Sequence, residues 1–272
     1  MGGLHRIVPG APLDRYVEAL WDWDMPPAGH RHERILPVPG AQLIVNLHED
    51  ETRVYADDST RCCTRAAGAV IGGPFRRSWI IDTAEQIRVM GVNFRPGGTH
   101  GLTGIDATEF VAADIGLEDL FGGSAHSLRQ RLLETPCPLR RLAVLADWLH
   151  GLTTPAVTDP AIAAAMAALG RAPQLARIGE LQRASGYSPT RFGRLFQRQA
   201  GMSPKRYARL LRFRTVVSHA HAQPRVDWSR VAADGGYCDQ AHLNHEFRQF
   251  AGVTPGTFMA LRGPHPNHLP LD

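Results

Sequence analysis

A chain of 272 residues with 43% apolar and 21% charged residues has room for two globular domains and lacks the bias of a disordered or fibrous protein. No apolar run approaches the ~20 residues that span a bilayer, and the N-terminus lacks the charged-then-apolar pattern of an export signal, so a cytoplasmic protein is expected. The net charge of +4 hides a division: residues 1–122 hold 11 Arg against 17 acids, whereas residues 171–272 hold 15 Lys or Arg against six.

The first 122 residues read mainly as strands. A short helix is expected over 12–20, overlapping an alternating apolar–acidic run at 18–24 (EALWDWD). Short strands follow at 35–38, 42–48, 53–55, 69–71, 78–81 and 87–94, separated by turns rich in Gly, Pro and Asp. Many short strands at close spacing predict a small barrel or sandwich. Two local features invite a sharper reading. His30, His32, Glu33 and His48 suit a metal cluster on a cupin-like barrel, since His-x-His on a strand puts both rings on one face. The alternative is that GHRHER is an exposed loop after Met25-Pro26-Pro27, and no metal or other cofactor is expected. Arg95, ending an apolar strand in NFRPGG, suits either binding an anionic ligand or capping the barrel rim.

Helices are expected over 128–134 and 139–150, broken by Pro136-Cys137-Pro138. In the second, Leu139, Leu142, Leu145, Ala146 and Leu149 form a stripe with Trp148 alongside; it packs on its own barrel or makes a homodimer face. Residues 151–159 read as a linker. Cys62, Cys63, Cys137 and Cys238 form neither a C-x-x-C pair nor a zinc spacing and are expected to be reduced thiols, with a redox sensor at Cys62-Cys63 the alternative.

The organising feature comes next: 184–207 (ASGYSPTRFGRLFQRQAGMSPKRY) recurs as 234–258 (DGGYCDQAHLNHEFRQFAGVTPGTF). Gly186-Tyr187 matches Gly236-Tyr237, and Phe196, Gly201, Ser203-Pro204 and Tyr207 match Phe247, Gly252, Thr254-Pro255 and Phe258. Each copy reads as helix, tight turn, helix. Ser188 followed by Pro189, and Asp239 followed by Gln240, are helix starts, because the side-chain oxygen takes an orphan amide. Phe192, Leu195 and Phe196, like Leu243, Phe247 and Phe250, face inward at helical spacing. Thr190, Gly193, Arg194, Gln197 and Arg198 lie outward with Arg191 at their edge, as do Ala241, Asn244, His245 and Arg248. The basic excess coincides with this repeat, as a nucleic-acid-binding half attached to a non-binding half would show.

The paired G-Y, the x-x-F-x-x-x-G-x-[ST]-P run and the terminal aromatic resemble the C-terminal DNA-binding domain of the AraC/XylS family of transcription regulators, over residues 160–262. The resemblance implies two helix-turn-helix units joined by a long helix over 206–220, with recognition helices starting at Pro189 and Gln240. The ERILPVPGAQLIVNL and GVNFRPGG runs resemble the N-terminal domain of one AraC-type subgroup.

The expected fold is therefore α+β in two domains. Residues 1–122 are a β-rich sensor or dimerisation domain, 123–158 a helical connector and linker, 159–262 the DNA-binding domain, and 263–272 (PHPNHLPLD after Gly263) a disordered tail. Ser188, Thr190, Arg191, Gly193, Arg194, Gln197, Arg198 and Lys205 are the expected DNA-facing residues of the first unit; Gln240, Ala241, His242, Asn244, His245 and Arg248 are those of the second. The partners expected are duplex DNA, a small-molecule effector, a second copy of the chain, and RNA polymerase if the protein activates. No nucleophile elbow, phosphate loop or dinucleotide fingerprint is present, and no enzyme is expected. The alternatives are a cupin-like metal enzyme with a DNA-binding appendage, and a regulator whose first half only dimerises.

Overall fold

The computed structural model describes residues 3–55, 62–111, 114–153 and 158–271. It begins with nine strands: β1 (Gly3–Ile7), β2 (Val17–Asp24), β3 (His32–Ile35), β4 (Gln42–Asn46), β5 (Glu51–Tyr55), β6 (Cys63–Ala67), β7 (Ala69–Gly72), β8 (Trp79–Asp82) and β9 (Arg88–Phe94). Then come α1 (Gly98–Thr103), β10 (Ile115–Gly116), α2 (Leu117–Phe121), α3 (Gly123–Glu134) and α4 (Pro138–Leu152). Seven helices follow: α5 (Pro160–Arg171), α6 (Ile178–Ala184), α7 (Pro189–Ala200), α8 (Pro204–Ala222), α9 (Trp228–Asp234), α10 (Gln240–Ala251) and α11 (Pro255–Leu261). The last element is β11 (His268–Pro270).

The strands form two antiparallel sheets, ordered β1-β2-β9-β4-β7-β10 and β11-β3-β8-β5-β6. Period-two alternation gives the first sheet two different faces. Leu43 and Val45 of β4, Ile71 of β7, and Met90 and Val92 of β9 pack with Leu128, Leu132, Leu142, Leu145 and Leu149 of α3 and α4. Their neighbours Gln42, Ile44, Val70 and Val89 turn the other way, into a cavity between the sheets. Both faces of β4 are thus covered, which is why its sequence reads as a nearly unbroken apolar run.

Several expectations need correction. The helix over 12–20 is only a 3-10 turn at Leu13–Arg15, because β2 starts at Val17 and its backbone pairs with β1 and β9. The strand near 35–38 starts earlier, so half of GHRHER lies in β3 rather than a loop, clamped between β8 and β11. β1 and β6 are edge strands with no buried residue, their side chains exposed or half-buried, which leaves little apolar signal. The stripe on α4 is buried against its own barrel through Leu142, Leu145 and Leu149, so it is not a dimer face; Leu139 is turned outward. Residues 123–152 are thus walls of the barrel rather than a free connector. Arg141, on the same helix, is fully buried and grips Asp22 of β2 through two bonds of 2.7 and 2.8 Å. Much of the expected linker, including Thr154-Pro155, lies outside the described residues.

The tail is the largest departure. Instead of being disordered, β11 pairs with β3, Leu36 N–H donates to Asn267 O at 2.8 Å, and Leu269 is fully buried. Three prolines look like a breaker in sequence, but an edge strand needs few amide donors. Leu36 and Leu269 join the helical core around Phe196, Tyr207, Phe213 and Phe247, so one apolar cluster bridges the two halves.

Candidate functional site

Both expected recognition helices start where the sequence places them. Ser188 Oγ accepts the Arg191 N–H at the start of α7, and Asp239 Oδ1 accepts the His242 N–H at the start of α10. Gly201 and Gly252 end the two helices at φ values of 72° and 71°, which a side chain would resist. Between them α8 presents Tyr207, Leu210, Phe213, Val216 and Val217 to the common core. The units are not copies in detail. Glu246 occupies the inward position that Leu195 holds in the first, and this buried carboxylate is bound by Arg209 at 2.6 Å and Arg212 at 3.5 Å from α8.

Ser188, Thr190, Arg191, Arg194, Gln197, Arg198 and Lys205 are exposed. Arg194 and Lys205 make no hydrogen bond or ion pair among the described residues, and Arg191 lies 4.4 Å from the Tyr187 ring centre. A Cβ on Gly193 would meet nothing within 4 Å, so the backbone there is open to close approach. On α10, Gln240, Ala241, His245 and Arg248 are exposed, and His242 and Asn244 half-buried. Gln240 Oε1 accepts from Ser229 Oγ at 3.0 Å, His245 contacts Gln249 at 2.8 Å, and His242 packs edge-on to Tyr237.

The C-terminal ends of both helices abut the barrel half. A side chain at Gly201 would press on Pro74, Ala107 and Val111; one at Gly252 would meet Arg34 and Ser78. Arg198 reaches across to Asp106 at 3.1 Å, and Arg206 Nη2 donates to Arg76 O at 3.0 Å. One of the expected DNA-facing arginines therefore already has a protein partner.

The other site-like feature is the cavity between the sheets, about 590 Å³. Trp21, Trp23, Phe75, Trp79, Ile44, Val54, Ile81 and Val89 supply most of its apolar wall, and residues 263–268 with Pro270 close one side. Glu85 lies on this wall fully buried, and burial raises its carboxyl to about 7 against the pull of the Arg53 N–H at 2.7 Å. Burial likewise raises Asp114 to about 6. Glu33 joins His30 and His268 at 2.7 and 2.8 Å. Burial pushes Glu33 upward, but its bonds and charge contacts to His268 and His30 outweigh this and leave it lowered. His48 sits apart in the turn after β4, and among the described residues no three His, Cys, Asp or Glu side chains could hold a metal ion. Arg95 is not on the cavity wall; it is exposed and donates to Asp14 O at 2.8 Å, as a rim contact does. Sequence reading missed the cavity carboxylates because Glu85 and Asp114 sit in turn-like sequence, where acids are ordinarily solvated.

Two capped helix-turn-helix units on one long helix define a protein that binds duplex DNA. Residues 181–260 match the family described as a helix-turn-helix domain, and residues 5–115 match a domain of unknown function (DUF6597). The chain is a DNA-binding transcription regulator of the AraC type, with a β-rich domain ahead of its helix-turn-helix domain. No curated protein matches it. Among solved structures it is similar to ToxT from Vibrio cholerae at 6% identity and a TM-score of 0.47, covering 94% of this chain and 98% of that one. It is also similar to unsaturated fatty acid-bound wild-type ToxT from strain SCE256, at 8% identity and a TM-score of 0.44, covering 88% and 93%. No helix among the described residues is long and apolar enough to cross a membrane.

Proposed function

We propose that this regulator is a one-component sensor in the cytoplasm, reading DNA with residues 159–262 and an effector with the cavity of its first half. α7 and α10 enter successive major grooves about one turn, ~34 Å, apart. The observation that carries this reading is Arg194, exposed on the outer face of a helix whose start is fixed by Ser188 and left without a hydrogen-bond or ion-pair partner among the described residues. Its guanidinium can bond O6 and N7 of a guanine, for about 1–3 kcal/mol of discrimination. Thr190, Arg191 and the open backbone at Gly193 lie nearest the base edges in the same groove, with Gln197 and Lys205 toward the phosphates. His245 stands at the equivalent position of α10, and a neutral imidazole makes one bond where arginine makes two. Gln240 and Asn244 suit adenine, and Arg248 a phosphate.

The first half-site should therefore contain G and be sharply defined, and the second should tolerate more sequences. Selection of bound sites from random duplexes by wild type, Arg194→Ala and His245→Ala tests this. Arg194→Ala should flatten preference in one half-site, and His245→Ala should alter the other modestly; the opposite ranking would reject the assignment. The role of the chain is regulatory and not enzymatic, with RNA polymerase as partner where bound sites lie beside a promoter. A homodimer would need a face other than α4.

A further inference from the structure

The wall of the cavity between the sheets is unbalanced in charge. Each of its arginines already has a protein partner: Arg53 is held by Glu49 and Glu51, and Arg6 lies 3.5 Å from Glu18. Two of its histidines, His30 and His268, share Glu33, and the third, His265, packs against the rings of Trp23 and His268. Two of its three carboxylates, Glu85 and Asp114, are less well provided. Glu85 is fully buried; its Oε1 accepts from the Arg53 N–H and from Gln86 at 3.3 Å, but its Oε2 meets no donor among the described residues. A buried acceptor without a protein partner is costly, more so if charged, and this one is open to a donor brought into the cavity. Asp114 makes no hydrogen bond or ion pair among the described residues. Its carboxyl lies against Gly72, where a Cβ would collide with Oδ1, and beside the edge of the Phe75 ring.

The two carboxyls mark opposite ends of the cavity. Gly72, beside Asp114, pairs with Gln42 at the start of β4, whereas Glu85 O accepts from Asn46 Nδ2 at its end. That length of strand spans about 13 Å at ~3.3 Å per residue. The Asp114 end is aromatic: Phe75 and Trp79 lie 4.1 Å apart, and the Trp21 indole N–H donates to Asn93 Oδ1 at 3.2 Å. Ring faces of this kind attract cations, and the apolar stretch of Ile44, Val54, Ile81 and Val89 suits a hydrocarbon body. A carboxylate ligand would instead add a negative charge where, among the described residues of the wall, no unpaired cation waits to receive it.

We propose that the cavity takes cationic ligands: amines whose protonated nitrogen sits beside Asp114 among Phe75, Trp79 and Trp21, with the apolar body running toward Glu85. A donor at the far end of the ligand then meets Glu85 Oε2. This rests on the reading of the cavity as an effector site, and the experiment separates the two. Calorimetric titration of the full chain uses three probes that differ only in their terminal group: 4-phenylbutylamine, 4-phenylbutyrate and 4-phenylbutanol. The amine should bind at least tenfold more tightly than the acid. Asp114→Asn should weaken the amine at least tenfold and leave the alcohol unchanged. Trp79→Leu, confirmed folded by its melting curve, should weaken the amine more than the alcohol. Acid or alcohol binding as tightly as the amine would overturn the cationic assignment and leave the effector cavity standing. Equal amine affinity in wild type and Asp114→Asn would overturn it as well. Silence of all three probes at millimolar concentration would remove both readings.

Discussion

Arg141 and Asp22 show how much one buried pair can carry. Both side chains are almost fully buried, and the guanidinium also donates to Thr135 O and Pro136 O at 3.1 and 3.0 Å. The pair thereby ties α4 and the turn before it to β2. Removing one partner strands a charge in the interior, so Asp22→Ala should cost about 3–5 kcal/mol in urea denaturation. Replacing both, as Asp22→Leu with Arg141→Met, should recover most of that. Glu85 is the opposite case, a buried carboxyl poorly satisfied. Its folded value of about 7 exceeds the ordinary 4.5, so between those values the folded protein holds a proton that the unfolded chain has released. Stability is therefore lost as pH rises through this window, by about 1–3 kcal/mol. Glu85→Gln should match wild type near pH 4 and exceed it at pH 8; parallel stability–pH curves would show that the carboxyl is better solvated than its burial implies.

At the scale of elements, the two helix-turn-helix units share caps and turns but differ in how α10 and α7 are fastened to α8. α7 presents Leu195 at one inward position, where α10 presents Glu246 to Arg209 and Arg212. Conversely, α7 carries Gln199 where α10 carries Phe250, which stacks on Phe213 at 5.1 Å. The second unit thus uses an ion pair where the first uses dispersion. Glu246→Ala should destabilise the protein by about 1–3 kcal/mol, below the fully buried case because the arginines keep some solvent. The loss should reach DNA binding through misplacement of α10, so site selection would blur in the second half-site and not the first.

Across the whole molecule, the acidic half rests against the C-terminal ends of both recognition helices, through Gly201, Gly252 and the Arg198–Asp106 pair. If α7 docks on DNA as proposed, a carboxylate so close to its outer face would compete with phosphate for Arg198. The pair is partly exposed and worth about 0.2–1 kcal/mol, so the restraint is modest. Asp106→Asn keeps the acceptor that caps Thr108 N–H while removing the charge. It should raise DNA affinity by about two- to fivefold in a fluorescence anisotropy titration, an effect screened at high salt. Unchanged affinity would mean that Arg198 takes no part in the DNA contact. The tail adds a second tie, since residues 263–270 leave α11, line the cavity and then pair with β3.

What the sequence by itself determined is the helical half. Its information is local: Ser188-Pro189 and Asp239-Gln240 start helices, Gly201 and Gly252 end them, and aromatic spacing of three and four sets the inward face. Repetition of the pattern then doubled the signal. In the β-rich half the central strands β2, β4, β7, β8 and β9 were legible from apolar runs between turns, but the edges β1, β6 and β11 were not. An edge strand is defined by its partner's backbone rather than by its own side chains, so PHPNHLPLD reads as disordered until β3 lies beside it. The cavity was invisible for the same reason. Glu85 and Asp114 are far apart in sequence and ordinary in their neighbours, and only closure of the two sheets takes Glu85 fully and Asp114 partly out of water. In sequence alone Arg95, ending an apolar strand, suits a ligand group or a rim contact equally, and only the fold turns it to the rim and Asp14. Caps and periodicity belong to consecutive residues, whereas desolvation belongs to the fold, and here it decided which charges lie beside the cavity.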